Sequence, residues 1–166
     1  TVDRKRVIDF CNSFRKMFKN LAWGCSTRAD CVDYDLLRIM KNSGCIDIRF
    51  GIESGSERIR RNVIRKNISE EVCITSIRQA KKAGLFTTAF FLFGHPGETV
   101  EDMKETISFS MKLDPDYASF MIATPLPGSE LYQIALNEEK ISRNTWKNVI
   151  EGYEDIPVYC PDGLTK

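Results

Sequence analysis

The chain has 166 residues, a length that fits one domain. Hydrophobic residues make up 42% and charged residues 28%, the balance of a globular domain with a sizeable core. Twenty-four Lys and Arg against twenty-three Asp and Glu leave a formal charge of +1, so neither nucleic acid nor a membrane surface is indicated as the main partner; no apolar run approaches the roughly 20 residues of a membrane span.

The start, Thr1-Val2-Asp3-Arg4-Lys5-Arg6, has no apolar stretch of signal-peptide type behind it. The six cysteines (Cys11, Cys25, Cys31, Cys45, Cys73 and Cys160) are scattered, with no two separated by only two or three residues. That spacing argues against a zinc or iron–sulfur ligand set within the chain and for reduced, small buried residues. A cytoplasmic location is expected.

In chain order, Asp3 to Asn20 places Val7, Phe10, Cys11, Phe14 and Phe18 at helical spacing. Leu21 to Cys25 is a short strand candidate. Asp30 or Asp33 caps a helix through Leu36, Leu37, Ile39 and Met40, which stops at Gly44. Cys45 to Ile52 alternates as a strand does. Ser56 to Val63 predicts a short helix, and Ser69 begins a longer one that carries Glu70 and Glu71 in its first turn and ends at Gly84. Leu85 to Phe93 is apolar apart from Thr87 and Thr88, which predicts a strand covered on both faces. Glu98 or Thr99 starts the next helix, Asp116 to Ala123 predicts a second buried strand, and Pro127-Gly128-Ser129 opens a helix through Tyr132. From Trp146 onward there is little periodicity. This alternation of helices and strands predicts parallel strands joined by right-handed crossovers. Four strands cannot close a barrel of eight, and the alternation alone fits a doubly wound sheet equally well.

Ligands of parallel sheets sit at the C-terminal ends of the strands. The four ends are Cys25 to Arg28, Gly51 to Ser56, Phe93 to Thr99 and Ala123 to Ser129, each polar, glycine-rich or both. Glu53 could accept hydrogen bonds from two neighbouring sugar hydroxyls, with Gly51 and Gly55 letting a ligand approach the backbone. It could equally cap the next helix or pair with a base. Phe93-Gly94-His95-Pro96-Gly97-Glu98-Thr99 reads as a strand, a tight turn and a helix start, with His95 as a turn residue. Arg60, Arg61, Arg65 and Lys66 form a basic run, and Lys81 with Lys82 a second pair, read mostly as solvated faces. Lys66 differs, because from the loop before Ser69 it could reach a carboxylate ligand at the strand ends. Arg28 ends a strand and faces the same cavity or forms a surface pair.

Three motifs occur in order: Gly51-Ile52-Glu53-Ser54-Gly55-Ser56, Ile64-Arg65-Lys66-Asn67-Ile68-Ser69, and Phe91-Leu92-Phe93-Gly94-His95-Pro96-Gly97-Glu98-Thr99. They are flanked by Trp23 to Arg28 with Asp30 and Asp33, by Gly44-Cys45, and by Pro125 to Tyr132. Together they resemble radical S-adenosylmethionine (SAM) proteins, especially the subgroup that often carries a cobalamin-binding domain. The resemblance runs from about Phe10 to Leu136 and implies an α/β fold: a partial (β/α)6 TIM-like barrel, of which this chain holds the last four βα units. On this reading residues 1–140 are the C-terminal part of that barrel and 141–166 an irregular extension.

The resemblance also implies roles. Glu53 matches the carboxylate that holds the SAM ribose. Lys66 lies near the basic position that meets the methionine carboxylate, after a small gap in the alignment. Phe91 to Gly94, with Phe93 and Gly94 at its end, matches the strand lining the adenine side, and Arg28 matches a polar position at the third strand's end. The implied cofactors are SAM, a 4Fe-4S cluster in the whole protein, and cobalamin in the subgroup. The whole protein would cleave SAM to methionine and a 5′-deoxyadenosyl radical that abstracts hydrogen from a substrate the sequence does not identify. The departure is the cluster loop: the family's Cys-x-x-x-Cys-x-x-Cys does not occur here. The chain therefore reads as a fragment with no catalytic or metal-ligating residue of its own, inactive in isolation, with a strand edge open for dimerisation. The competing reading is a non-catalytic nucleotide-binding or interaction domain.

Overall fold

A computed structural model describes residues 3–157 and 159–163. Thr1 and Val2, and positions 158 and 164–166 of the predicted extension, lie outside the described residues. The elements are α1 (Arg4–Met17), β1 (Trp23–Thr27), α2 (Tyr34–Asn42), β2 (Cys45–Glu53), α3 (Glu70–Lys82), β3 (Phe86–Phe93), α4 (Val100–Leu113), β4 (Tyr117–Ile122), α5 (Glu130–Asn137) and α6 (Thr145–Ile150). The helix starts follow the capping chemistry of the sequence. Asp33 rather than Asp30 accepts from Leu36 N, Ser69 accepts from Val72 N, and Ser129 accepts from Tyr132 N. Thr99 rather than Glu98 caps α4, in a capping box with Asp102.

The four strands form one all-parallel sheet in the order β1-β2-β3-β4. Each strand lies beside its predecessor, so right-handed crossovers in a constant direction put every connecting helix on the same face. The result is a segment of barrel wall and not a doubly wound sheet. Ile48, Phe50 and Ile52 of β2 and Ala89 and Phe91 of β3 are buried against Leu36, Leu37, Met40, Cys73, Ile77 and Phe109 of the helices. Fully burying one such large side chain stabilises by about 1.5–3 kcal/mol, so this outer layer is the main source of stability. Cys11, Cys45 and Cys73 are part of it.

The opposite, concave face corrects two sequence readings. Phe86, Tyr117 and Met121 are exposed, so β3 is covered on one face only and β4 is not a buried strand. Apolar content cannot distinguish a strand covered by helices on both sides from one whose second face lines a barrel interior. β1 starts two residues later than expected and runs to Thr27. The region after Trp146 is also more ordered than its periodicity suggested: α6 forms, and Tyr159 N donates to Ala123 O at 2.8 Å, extending the pairing beyond β4. Among the described residues, no helix is long and apolar enough to cross a membrane.

Candidate functional site

The ends of β1 and β2 and the loop that carries Lys66 surround a cleft of about 610 Å³, lined by Ser26, Thr27, Arg28, Gly51, Glu53 and Lys66, with Phe90 and Met121 as its apolar wall. Glu53 enters it through a local irregularity. The β2–β3 register shifts between Gly51 and Glu53, and Glu53 has φ 73°, a left-handed conformation that side chains rarely adopt. Its carboxylate turns back over Gly51, where a Cβ would lie 2.5 Å from Glu53 Oε1 and 3.2 Å from Lys66 Nζ. Gly51 therefore makes room for these two side chains as well as for any ligand. Lys66 Nζ donates to Glu53 Oε1 at 3.1 Å and to the Gly51 carbonyl. The ammonium is largely buried, with 11% of its side chain exposed against 28% for Glu53.

Of the five residues expected at the site, Glu53, Lys66 and Arg28 share the cleft. Arg28 already has a partner, donating to both carboxylate oxygens of Asp30 at 3.0 and 2.8 Å. Phe93 does not line the cleft. Its ring stacks on Phe120 at 5.4 Å, because alternation along β3 turns Phe93 to the face opposite Phe90. Gly94 has a structural use: at φ 86°, a Cβ there would meet the Tyr159 carbonyl at 2.7 Å. The C-terminal segment closes on that position, and spacing along the sequence gives no sign of such a long-range contact.

The Phe93 to Thr99 turn is organised by Glu98, which is buried and accepts from Gly94 N at 2.5 Å and His95 N at 3.1 Å. Burial pushes its carboxyl up, and those two amide bonds pull the other way. His95 is a turn residue, as expected, and it is buried; burial lowers its pKa while the Glu53 charge opposes that shift. Its Nε2 has no hydrogen-bond partner among the described residues.

Within the basic run, read mostly as a solvated face, Arg60 is an exception. Arg60 is 1% exposed, donating to Ser54 O at 2.8 Å and Gly55 O at 2.7 Å beneath the Phe109 ring. The predicted Ser56 to Val63 helix is a turn that widens into π-helix at Ile59–Val63, and this turns Arg60 inward. Arg61 pairs with Glu57 and Arg65 with Glu130, both on the surface.

The arrangement can bind a ligand with vicinal hydroxyls and a negatively charged end. A carboxylate accepts several hydrogen bonds and would hold a ribose diol, and the Lys66 and Arg28 cations suit a carboxylate group. SAM carries both features. A metal cluster does not fit: among the described residues, no group of three or more His, Cys, Asp or Glu could hold a metal ion.

The Radical SAM superfamily model matches residues 3–110, most of the chain including β1 to β3 and most of α4. The chain belongs to the radical SAM superfamily. This radical SAM chain is 37% identical over 147 residues to an uncharacterized methyltransferase of Pyrococcus horikoshii, a match covering 89% of the chain and 32% of the relative. It spans about a fifth to a third of the length of the curated relatives it matches. In fold it is similar to the radical SAM enzyme coproporphyrinogen III oxidase of Escherichia coli, with a TM-score of 0.67, 18% identity, and coverage of 86% of this chain and 32% of that one. It is also similar to the methyltransferase TsrM of Kitasatospora setae, solved with cobalamin and a 4Fe-4S cluster bound, with a TM-score of 0.58, 17% identity, and coverage of 72% of this chain and 22% of that one. The parallel segment of barrel wall is thus the radical SAM fold that the motifs implied.

Proposed function

We propose that this chain forms the SAM-binding side of a radical SAM enzyme, with Glu53 as acceptor for the ribose hydroxyls and Lys66 as cation for the methionine carboxylate. The observation that carries this reading is the strained Glu53 backbone directing a carboxylate into the strand-end cleft beside a buried ammonium. Strain of this kind persists where surrounding structure enforces it, and it clusters at ligand sites. Phe90 and Met121 provide an apolar wall, and Arg28 is a second cation at the mouth.

SAM and a 4Fe-4S cluster together supply the radical chemistry in this family. The chain's own residues hold and orient SAM, and pre-set orientation is what makes its sulfur reactive at a fixed point. The cluster ligands belong to parts of the protein beyond these residues, so the chain alone is inactive. The similarity to cobalamin-containing TsrM supports cobalamin as a further cofactor of the whole protein.

Glu53→Gly in the whole protein tests the site. Glycine relieves the left-handed strain while removing the carboxylate, so folding stability should stay within about 1 kcal/mol of the parent. SAM affinity should fall by about 1.5–3 kcal/mol, on the order of ten- to a hundredfold, at unchanged iron content. Unchanged SAM affinity would leave Glu53 as a structural residue.

A further inference from the structure

Arg60 is a buried guanidinium that makes no ion pair with any Asp or Glu among the described residues, and its Nε has no hydrogen-bond partner there. Burying such a charge is unfavourable unless its bonds are needed, so their targets indicate its purpose. Nη1 donates to the carbonyls of Ser54 and Gly55, the two residues that follow Glu53. From the same residue, the Arg60 carbonyl accepts from Lys66 N at 2.8 Å. Arg60 thus grips the chain just beyond Glu53 with its side chain and holds Lys66 with its backbone. The π-helical turn makes both contacts available, since Ile64 N reaches back five residues to Ile59 O at 3.0 Å and carries the chain on to Lys66.

We infer that Arg60 is a positioning residue for the SAM site: it holds Glu53 in its left-handed conformation opposite Lys66 and sets ligand affinity without touching the ligand. This rests on the reading of Glu53 and Lys66 given above. Both N–H bonds of Nη1, held in the guanidinium plane, point at successive carbonyls and fix the direction of that backbone, which a freely rotating ammonium does less well. The Phe109 ring, 5.4 Å from the guanidinium, holds the fork from the other side.

The test uses the full-length protein with its cluster reconstituted. SAM affinity, iron content and melting temperature are measured for Glu53→Gln, Arg60→Met, Arg60→Lys and the double variants. Arg60→Met should weaken SAM binding about tenfold or more at parental iron content, with part of the loss recovered in Arg60→Lys. Glu53→Gln should cost much less affinity in the Arg60→Met background than in the parent, because a misplaced carboxylate has little left to lose. Equal cost in both backgrounds, or parental SAM affinity in both Arg60 variants, overturns the inference. Should Arg60→Met not fold, the same cycle on Arg60→Lys decides, and independence of the two sites there overturns it equally. If Glu53→Gln alone leaves SAM affinity at the parental value, the SAM-site reading has failed and the inference falls with it.

Discussion

Ser56 Oγ donates to Asp102 Oδ1 at 2.6 Å, tying the loop after β2 to the first turn of α4. The second oxygen of Asp102 accepts from Thr99 N at 2.9 Å and Thr99 Oγ1 at 2.8 Å and pairs with Arg58. Thr106, one turn further along α4, accepts from Gly55 N at 2.9 Å and lies 3.1 Å from Ser54 Oγ. The loop that follows Glu53 and the start of α4 are therefore one polar assembly centred on a carboxylate.

Asp102→Asn should destabilise the fold by about 1–3 kcal/mol, because it weakens a mostly buried, several-fold acceptor. Burial pushes the Asp102 carboxyl up, but the bonds from Arg58, Ser56 and Thr99 outweigh it and hold the group well below the usual carboxylate range. A carboxyl depressed in the folded state stabilises fully above its unfolded pKa of about 3.9 and loses that contribution as pH falls towards its folded value. Urea unfolding of parent and variant should thus differ most above about pH 4, and the gap should begin to narrow as pH falls below that. A gap that is constant with pH would show that the charge of Asp102 is unimportant.

Gly55→Ala tests the same assembly sterically. A Cβ at Gly55 would lie 2.5 Å from Thr106 Cα and 2.7 Å from Glu105 O, both backbone atoms of α4 that cannot rotate away. The loop or the helix must shift, at a cost of about 1–3 kcal/mol or more. The expected outcome is a clearly lowered melting temperature together with weaker SAM binding in the full-length protein. A parental melting temperature would mean that the loop and α4 are not packed as described.

The chain as it stands, purified without oxygen and supplied with iron and sulfide, should remain nearly colourless. The described residues contain no group able to hold a metal ion. Iron analysis and visible absorbance check this, and a stoichiometric four-iron cluster would refute it.

The isolated chain should also self-associate. Among the described residues β1 pairs with β2 alone, which leaves a row of backbone donors and acceptors as a template for another strand. A groove of about 430 Å³ lined by Val7, Phe10, Trp23, Cys25 and Leu36 runs beside that edge. Ser26→Lys, a charge placed on the exposed edge, should reduce association in light scattering. A clean monomer of the parent chain at high concentration would count against the prediction.

The order of helices and strands was legible in the residues, because alternating apolar periods and side-chain caps act locally: Asp33, Ser69, Thr99 and Ser129 begin their helices by bonding amides three residues ahead. The strand-end rule and the ordered motifs brought Glu53 and Lys66 together on paper, and the fold places them 3.1 Å apart. Other features were settled only by contacts between residues far apart in sequence. Sheet order made a barrel wall out of an alternation that suited two folds, and left one face of β3 and much of β4 open despite their apolar content. A wide π-helical turn buried Arg60 within a basic run that local charge patterning marks as surface. Gly94 was taken up by the carbonyl of Tyr159, and Asp102, with no mark in its own segment beyond a capping box, joined two motifs because α4 packs on the loop after β2. Caps and periodicity depend on neighbours a few residues away and so can be read along the chain, whereas these contacts exist only once the strands have paired and the helices have packed.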